Sequence, residues 1–304
     1  MLIAELTGDG RPDIFVANDG TPCWLFANRG NLRFDEIGEA AGVARDGQGH
    51  ALAGMGVAIG DVNDDGLGDL LVTNFFDRST IAFQAQMKPA ASFLDASSGL
   101  GLARCTRHVL GFGIALVDFD ADGRLDLIQA NGHVLDRARL GTPFAMRPTL
   151  LRNTGGQFEE CALQPGGWFE RPILGRGLAV GDLDGDGRPD VVINALDAPA
   201  AVLRNTSAAG HFLDVDILDR AGRTAVGARV RVTAGGRIQA AAVAAGGSYL
   251  SASPGRLYFG LGRAQAAARI EVEWPWGQKE FWTTPSRTAE SSLRIEQGTG
   301  RPMP

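Results

Sequence analysis

Asp182-Leu183-Asp184-Gly185-Asp186-Gly187-Arg188-Pro189-Asp190 sets carboxylates at places 1, 3, 5 and 9 of a nine-residue stretch, with a glycine at place 6. Four like charges so close repel one another unless a cation collects them. The spacing suits calcium, which takes about 6 to 8 oxygens at about 2.3 to 2.6 Å. Asp182, Asp184, Asp186 and Asp190 can converge on one ion, and Arg188 at place 7 would add its backbone carbonyl. Gly187 supplies the positive φ that so sharp a turn needs.

The same frame occurs three more times. Glu5 to Asp13 reads ELTGDGRPD, Asp61 to Asp69 reads DVNDDGLGD and Asp118 to Asp126 reads DFDADGRLD. Places 1, 3, 5, 7 and 9 are Glu5, Thr7, Asp9, Arg11 and Asp13 in the first copy, and Asp61, Asn63, Asp65, Leu67 and Asp69 in the second. In the third they are Asp118, Asp120, Asp122, Arg124 and Asp126. Up to four calcium ions are expected, one per loop. The first loop is the weakest, because Glu5 and Thr7 stand where the fourth loop has aspartates. The copies start 56, 57 and 64 residues apart, a period that signals a propeller or array.

The residues around the loops decide between a helical and a strand setting. An EF-hand needs a bidentate Glu at place 12, where this chain has Val16, Val72, Gln129 and Ile193. Short β-prone runs flank the loops instead, such as Val57-Ala58-Ile59 before the second and Leu70-Leu71-Val72 after it. Each loop is therefore expected to close a hairpin. A second pair of strand-like runs follows, as in Trp24 to Asn28 with Leu32 to Phe34, Ile81 to Gln86 with Phe93 to Asp95, and Thr149 to Asn153 with Gln157 to Glu159. Two hairpins make a four-stranded unit, the size of a propeller blade. The repeats fall near residues 1–50, 51–105, 106–170 and 171–208, with an insertion near 131–148 expected as a surface loop.

These features resemble FG-GAP/VCBS repeats. The resemblance rests on the glycine pairs Gly54/Gly56, Gly111/Gly113 and Gly175/Gly177, the Asp-rich loops and the Leu-x-Arg-Asn strands. It implies an integrin-α-type β-propeller with calcium in the blade loops, here about four blades or a fragment of a seven-bladed ring. The glycine pairs lack the third glycine of a dinucleotide cradle and read as turn glycines. Only Met1 to Ala4 precede the first loop, so the chain is read as starting inside a repeat. Upstream repeats are expected, the other possibility being completion of the first blade by another part of the chain.

From His211 the period is lost. Gly227-Ala228-Arg229-Val230, Gly246-Gly247-Ser248-Tyr249, Phe259-Gly260-Leu261-Gly262 and Trp274-Pro275-Trp276-Gly277 resemble an ASPIC/UnbV domain, with Trp276 where that family usually has a small residue. Alternation at Arg229/Val230/Arg231/Val232 and Ile270/Glu271/Val272/Glu273 independently indicates half-buried strands. The reading is an all-β chain, with a propeller region at 1–208, a small β-sandwich or barrel at 209–297 and a tail at 298–304. Asn131-Gly132-His133 also resembles bacterial relatives of cartilage acidic protein.

Charge follows the same division. Residues 1–208 carry 27 acidic against 17 basic groups, and 15 of those acids lie in the four loops; residues 209–304 carry 8 against 12. The acidity thus serves ligation, and no basic footprint for nucleic acid exists. No run of about 18 apolar residues offers a membrane span, and Cys23, Cys105 and Cys161 cannot all pair within the chain.

Catalytic constellations are missing from the sequence: no HExxH, GxSxG or P-loop occurs, and the paired acids lie only inside the loops. His133 in the insertion and a possible Trp274/Trp276 stacking surface are the remaining candidates for chemistry or sugar binding. The expectation is a calcium-binding, non-catalytic interaction or adhesion scaffold, extracellular or periplasmic, with a protein or glycan ligand on either domain surface. The alternatives are a carbohydrate-binding module or, as the UnbV resemblance implies, an accessory or enzymatic role in secondary metabolism of the enediyne type.

Overall fold

The computed structural model describes residues 1–88, 91–136, 139, 141–161, 165–196, 198–207, 210–264, 267, 269–283 and 292–303. The Asp-rich loops each close an antiparallel hairpin, as their apolar flanks require. In the first blade β1 (Leu2–Ala4) and β2 (Asp13–Val16) flank the loop, followed by β3 (Trp24–Gly30) and β4 (Arg33–Glu36). The pattern repeats in β5 (Val57–Gly60), β6 (Asp69–Val72), β7 (Ile81–Gln86) and β8 (Ser92–Asp95), and again in β9 (Gly111–Val117), β10 (Asp126–Asn131), β11 (Thr149–Asn153) and β12 (Phe158–Glu160). Among the described residues a fourth blade has three strands, β13 (Gly175–Gly181), β14 (Asp190–Ala195) and β15 (Ala198–Leu203).

Consecutive blades stack face to face into a partial propeller. Leu2, Phe15 and Leu25 share a core with Val57, Leu70, Val72 and Phe83 of the next blade. Ala58, Leu71 and Ala82 then meet Ile114, Leu127 and Leu151, and Ile128 meets Leu178, Val180, Val191 and Ile193. Truncating a fully buried side chain such as Leu71 would cost about 2 to 5 kcal/mol.

The paired glycines act differently from the turn role expected of them. Gly111, Gly113, Gly175 and Gly177 lie inside β9 and β13, and neither they nor Gly54 and Gly56 have positive φ. What they provide is the absence of a side chain. A Cβ on Gly56 would overlap the Phe112 carbonyl of the next blade, and one on Gly113 would lie 2.7 Å from the Arg176 carbonyl. These glycines let the inner strands of adjacent blades approach.

The remaining strands form a β-sandwich. One sheet orders β20 (Leu257–Gly262), β16 (His211–Leu218) and β23 (Leu293–Glu296); the other orders β18 (Arg237–Ala242), β17 (Arg229–Ala234), β21 (Arg269–Glu273), β22 (Lys279–Trp282) and β24 (Arg301–Pro302). Val230, Val232, Ile270 and Val272 alternate inward against Val215, Ile217 and Phe259. Arg301 and Pro302, within the stretch expected as a tail, form an edge strand instead.

Between the two domains runs a segment whose role the sequence does not show. β19 (Ala245–Gly246) pairs with β1 of the first blade. Ser248 exchanges backbone hydrogen bonds with Val57 of the second blade, 2.6 and 3.2 Å, and its hydroxyl accepts from Ile114 N–H of the third, 3.3 Å. The Ser251 and Ser253 hydroxyls accept from Leu178 and Val180 N–H of the fourth, both at 3.0 Å. Gly246-Gly247-Ser248-Tyr249 and the residues after it therefore satisfy the inner-edge donors of all four blades in turn.

The 131–148 insertion is on the surface in its described middle, where Val134 and Leu135 are exposed, and is anchored by buried residues near its ends, His133 at 2% and Met146 at 4% exposure; residues 137, 138 and 140 fall outside the described set. Met146 bridges to Ile173 while Gly132 bridges to Ala145, which folds the insertion back on the third and fourth blades. One further expectation is corrected. Trp274 and Trp276 do not share a surface. Trp274 is fully buried in the sandwich core beside Trp282, whereas Trp276 is 65% exposed in the turn beyond β21. The chain turns at Pro275, so the two-residue spacing no longer keeps the two rings on one face.

Candidate metal centre

Each Asp-rich loop is held by one repeated set of hydrogen bonds. The place-5 carboxylate accepts from the place-7 N–H: Asp9 from Arg11 at 2.9 Å, Asp65 from Leu67 at 2.8 Å, Asp122 from Arg124 at 2.9 Å and Asp186 from Arg188 at 3.0 Å. Asp61, Asp118 and Asp182 at place 1 accept from the place-6 glycine N–H at 2.8, 2.7 and 3.0 Å; Glu5 takes Gly8 and Asp9 N–H instead. Place-6 glycines have φ of 79, 84, 86 and 82°. Place 4 is left-handed as well, at Gly8, Asp64, Ala121 and Gly185, a requirement that its mixed residue types hide.

The place-9 aspartate ties the loop to its blade. One oxygen of Asp13, Asp69, Asp126 and Asp190 accepts the place-2 N–H, from Leu6, Val62, Phe119 and Leu183 at 2.9 to 3.1 Å. Its other oxygen accepts from the third strand or, in the fourth blade, two residues beyond it, from Asn28, Ala85, Asn153 or Asn205 N–H, at 2.8 to 2.9 Å. Carboxylate oxygens have two lone pairs each, so these bonds leave capacity for a cation on both oxygens of Asp69, Asp126 and Asp190, whereas the Asp13 oxygen that accepts from Leu6 also accepts the Thr7 N–H at 3.0 Å. The Asn side chains extend the stitching: Asn153 donates to Val62 O and Asn205 to Phe119 O of the preceding blade, both at 3.0 Å.

The loops divide into two pairs by what they bring together. Asp118, Asp120 and Asp126, and likewise Asp182, Asp184 and Asp190, offer oxygens all within 4.8 Å of one another. Asp122 and Asp186 stand outside those clusters, each with one oxygen held by arginines. Arg152 lies 2.7 Å from Asp120 and 3.1 Å from Asp122; Arg204 lies 2.5 Å from Asp184 and 3.1 Å from Asp186. Among the described residues the first two loops form no such three-acid cluster, having Thr7 and Asn63 at place 3. Cations from the sandwich domain meet them instead. Arg229 lies 3.4 Å from Glu5, and Arg237 lies 2.7 Å from Asp64.

Oxygen-only donor sets of clustered carboxylates fit a hard dication such as calcium. Their electrostatics agree. Burial pushes Asp118 up to about 8, with Asp126, Asp122 and Asp120 adding repulsion, and burial pushes Asp126 and Asp69 up to about 7. Burial likewise raises Glu5, Asp13 and Asp61. Asp186 moves the other way, down to about 2, because Arg188 hydrogen-bonds its carboxylate.

All four loops form the floor on which the sandwich domain sits. Trp276 N–H donates to Gly10 O at 2.8 Å, and Arg229 reaches Gly66 O at 3.4 Å. Arg237 donates to Asp122 O at 2.8 Å and Gly262 N–H to Ala121 O at 2.8 Å. Asp182 N–H donates to the Tyr258 hydroxyl at 2.9 Å. Gly260 has no room for a Cβ, which would overlap an Asp118 oxygen. His133 is a hydrogen-bonded turn residue: its Nδ1 accepts from Leu135 N–H at 3.0 Å, and its ring packs edge-on against Phe75.

A repeated calcium-type loop in each blade and a sandwich seated on those loops define the class. FG-GAP-like repeat models match residues 6–72 and 118–193, and the ASPIC and UnbV model matches residues 219–302. The chain is an FG-GAP-like repeat protein with a C-terminal ASPIC and UnbV domain. It is homologous to cartilage acidic protein 1, at 29% identity over 299 residues with both the Mus musculus and Homo sapiens proteins. That alignment takes in 96% of this chain and 44% or 43% of theirs, so the chain spans less than half the length of the curated relatives it matches. Among solved structures, an Agrocybe aegerita protein described in the recognition of non-reducing terminal N-acetylglucosamine aligns over 99% of this chain and 78% of its own, at 16% identity. Its TM-score of 0.37 is too low to carry an argument.

Proposed function

We propose that the chain is a calcium-stabilised, non-catalytic interaction scaffold that works outside the cytoplasm, in the extracellular space or a periplasm. The observation that carries this reading is the seating of one domain on the metal-type loops of the other, through Trp276, Arg229, Arg237, Gly262 and Tyr258. Bound calcium would supply the positive charge that offsets the buried carboxylates. Asp118, Asp120 and Asp126 in the third loop, and Asp182, Asp184 and Asp190 in the fourth, would hold it. Neutralised loops keep their turns, and those turns are the docking floor of the sandwich. Homology to cartilage acidic protein 1 supports an extracellular setting. A protein or glycan ligand would bind the outer surface of either domain.

Calorimetry in calcium and in EDTA tests the proposal. At free calcium about 100-fold above Kd, each independent site adds about 2.7 kcal/mol. Chelation is expected to lower the melting temperature by several degrees and calcium to restore it; a melt unchanged by chelation defeats the reading.

A further inference from the structure

Between the first two Asp-rich loops and the five-stranded sheet of the sandwich lies a cavity of about 290 Å³, closed on one side by the hairpin of β7 and β8. Ligand pockets run from about 300 to 1,000 Å³ and favour domain interfaces. A space at the small end of that range takes a molecule the size of an amino acid.

Strand alternation makes the sandwich wall. Arg229 and Arg231 stand on the outer face of β17, while Val230 and Val232 turn into the core. Directly opposite Arg231 are Glu271 on β21 and Ala240 on β18; opposite Arg229 are Glu273 and Ala242. The short alanine side chains leave room beside both guanidinium groups.

The charges around the cavity pair off with two exceptions. Arg229 lies 3.4 Å from Glu5 and Lys279 lies 3.3 Å from Glu273, and Arg269 of β21 draws Glu271 away from Arg231 at 2.6 Å. Arg231 is thus left with no hydrogen bond or ion pair among the described residues. On the loop wall Asp61 is 9% exposed, and its oxygens accept Asp65 and Gly66 N–H at 3.1 and 2.8 Å. No cation of the described residues pairs with it, and the second loop gathers no three-acid cluster to claim it for a metal. One free cation and one uncompensated carboxylate therefore line the same space. Ile59, Ala85 and Phe93 add an apolar wall.

We propose that this cavity binds a free α-amino acid with an apolar side chain. The ligand carboxylate takes the guanidinium fork of Arg231, a pairing of matched planar geometry. Its ammonium donates to Asp61 and supplies the charge that this buried carboxylate lacks. The side chain lies against Ile59, Ala85 and Phe93.

Isothermal titration of L-valine and L-leucine into the full chain, in calcium-containing buffer, tests the proposal. Binding with Kd between about 10 µM and 1 mM is expected for at least one of them. Arg231→Ala should weaken it at least about tenfold, the loss of one charge-assisted pair. The ligand-free melt of that variant should be unchanged, because Arg231 has no partner to lose. Two leucine analogues separate the charges on the unaltered chain: 4-methyl-2-oxopentanoate lacks the ammonium and isopentylamine lacks the carboxylate, and both should bind at least about tenfold more weakly than the amino acid. Absence of binding by both amino acids overturns the proposal. So does binding that Arg231→Ala leaves intact, which would place the ligand elsewhere, and so does equal binding of the oxo acid, which would make the cavity a plain anion site.

Discussion

The first two Asp-rich loops and the last two share a backbone but differ in the origin of their nearby cations. In the third and fourth loops the carboxylates crowd together, and Arg152 and Arg204 of the same blade lean on them. In the first and second the place-3 oxygens come from Thr7 and Asn63, and Arg229 and Arg237 reach in from the other domain. The turn geometry is constant across all four. The nine-residue frame is thus first a backbone device, which carries acid clusters able to hold a metal in the third and fourth loops and accepts cations of the other domain in the first and second.

The place-9 aspartates offer the largest test. Asp126→Ala and Asp69→Ala each remove the acceptor for two N–H groups, at about 1 to 3 kcal/mol per orphaned donor. In EDTA the two should cost the same, about 2 to 6 kcal/mol by chemical denaturation. In calcium Asp126→Ala should cost about 2.7 kcal/mol more, through the lost site. Equal losses in both buffers would erase the distinction between the loop pairs.

Next in size is a pH effect. Folded-state values of about 8 for Asp118 and about 7 for Asp126 and Asp69 exceed the ordinary carboxylate value, so the folded chain binds the extra protons. Without metal, the stability they contribute is full below the unfolded value and is lost as pH rises through 7 and 8. Melts in EDTA should therefore rise as pH falls from about 8.5 to 6. In calcium the slope should shrink, because ligation needs the deprotonated carboxylates. A metal-free melt that climbs with pH would contradict the burial of these groups.

A smaller change, in the opposite sense, is expected from Arg152→Ala. Removing a cation beside Asp120 and Asp122 should tighten calcium binding at the third loop about 2- to 4-fold in isothermal titration, the size of a screened Coulomb interaction at an exposed site. Arg237→Ala is the mildest. Its pairing with Asp64 is partly exposed, so a loss of about 1 kcal/mol or less in denaturant is expected, with calcium stoichiometry unchanged.

Much of this was legible in the sequence because it is local. The place-12 residues Val16, Val72, Gln129 and Ile193 separate hairpin loops from an EF-hand, and the structure places β2, β6, β10 and β14 there. Strand β7 spans Ile81 to Gln86, as its place in the repeat indicates. Features set by distant neighbours were not legible. Gly56 and Gly113 look like turn glycines until Phe112 and Arg176 carbonyls from the next blade press on them. Trp274 and Trp276 look equivalent two residues apart, and only the turn between them sends one inward. The Arg229–Gly66 and Arg237–Asp64 contacts join residues more than 160 positions apart, beyond the reach of any periodicity.

The segment from Ala245 to Ser253 also has a consequence for how the molecule forms. Its partners include Leu2, Val57, Ile114 and Leu178, so all four blades wait for a segment that follows them in the chain. Contacts that long in sequence slow folding, because loop closure must precede the bonds that reward it. Until the segment arrives, the blades hold unpaired inner edges, which are templates for wrong pairing. Maturation of this protein is therefore expected to be slow and helper-sensitive early, and all-or-none once the late segment seats.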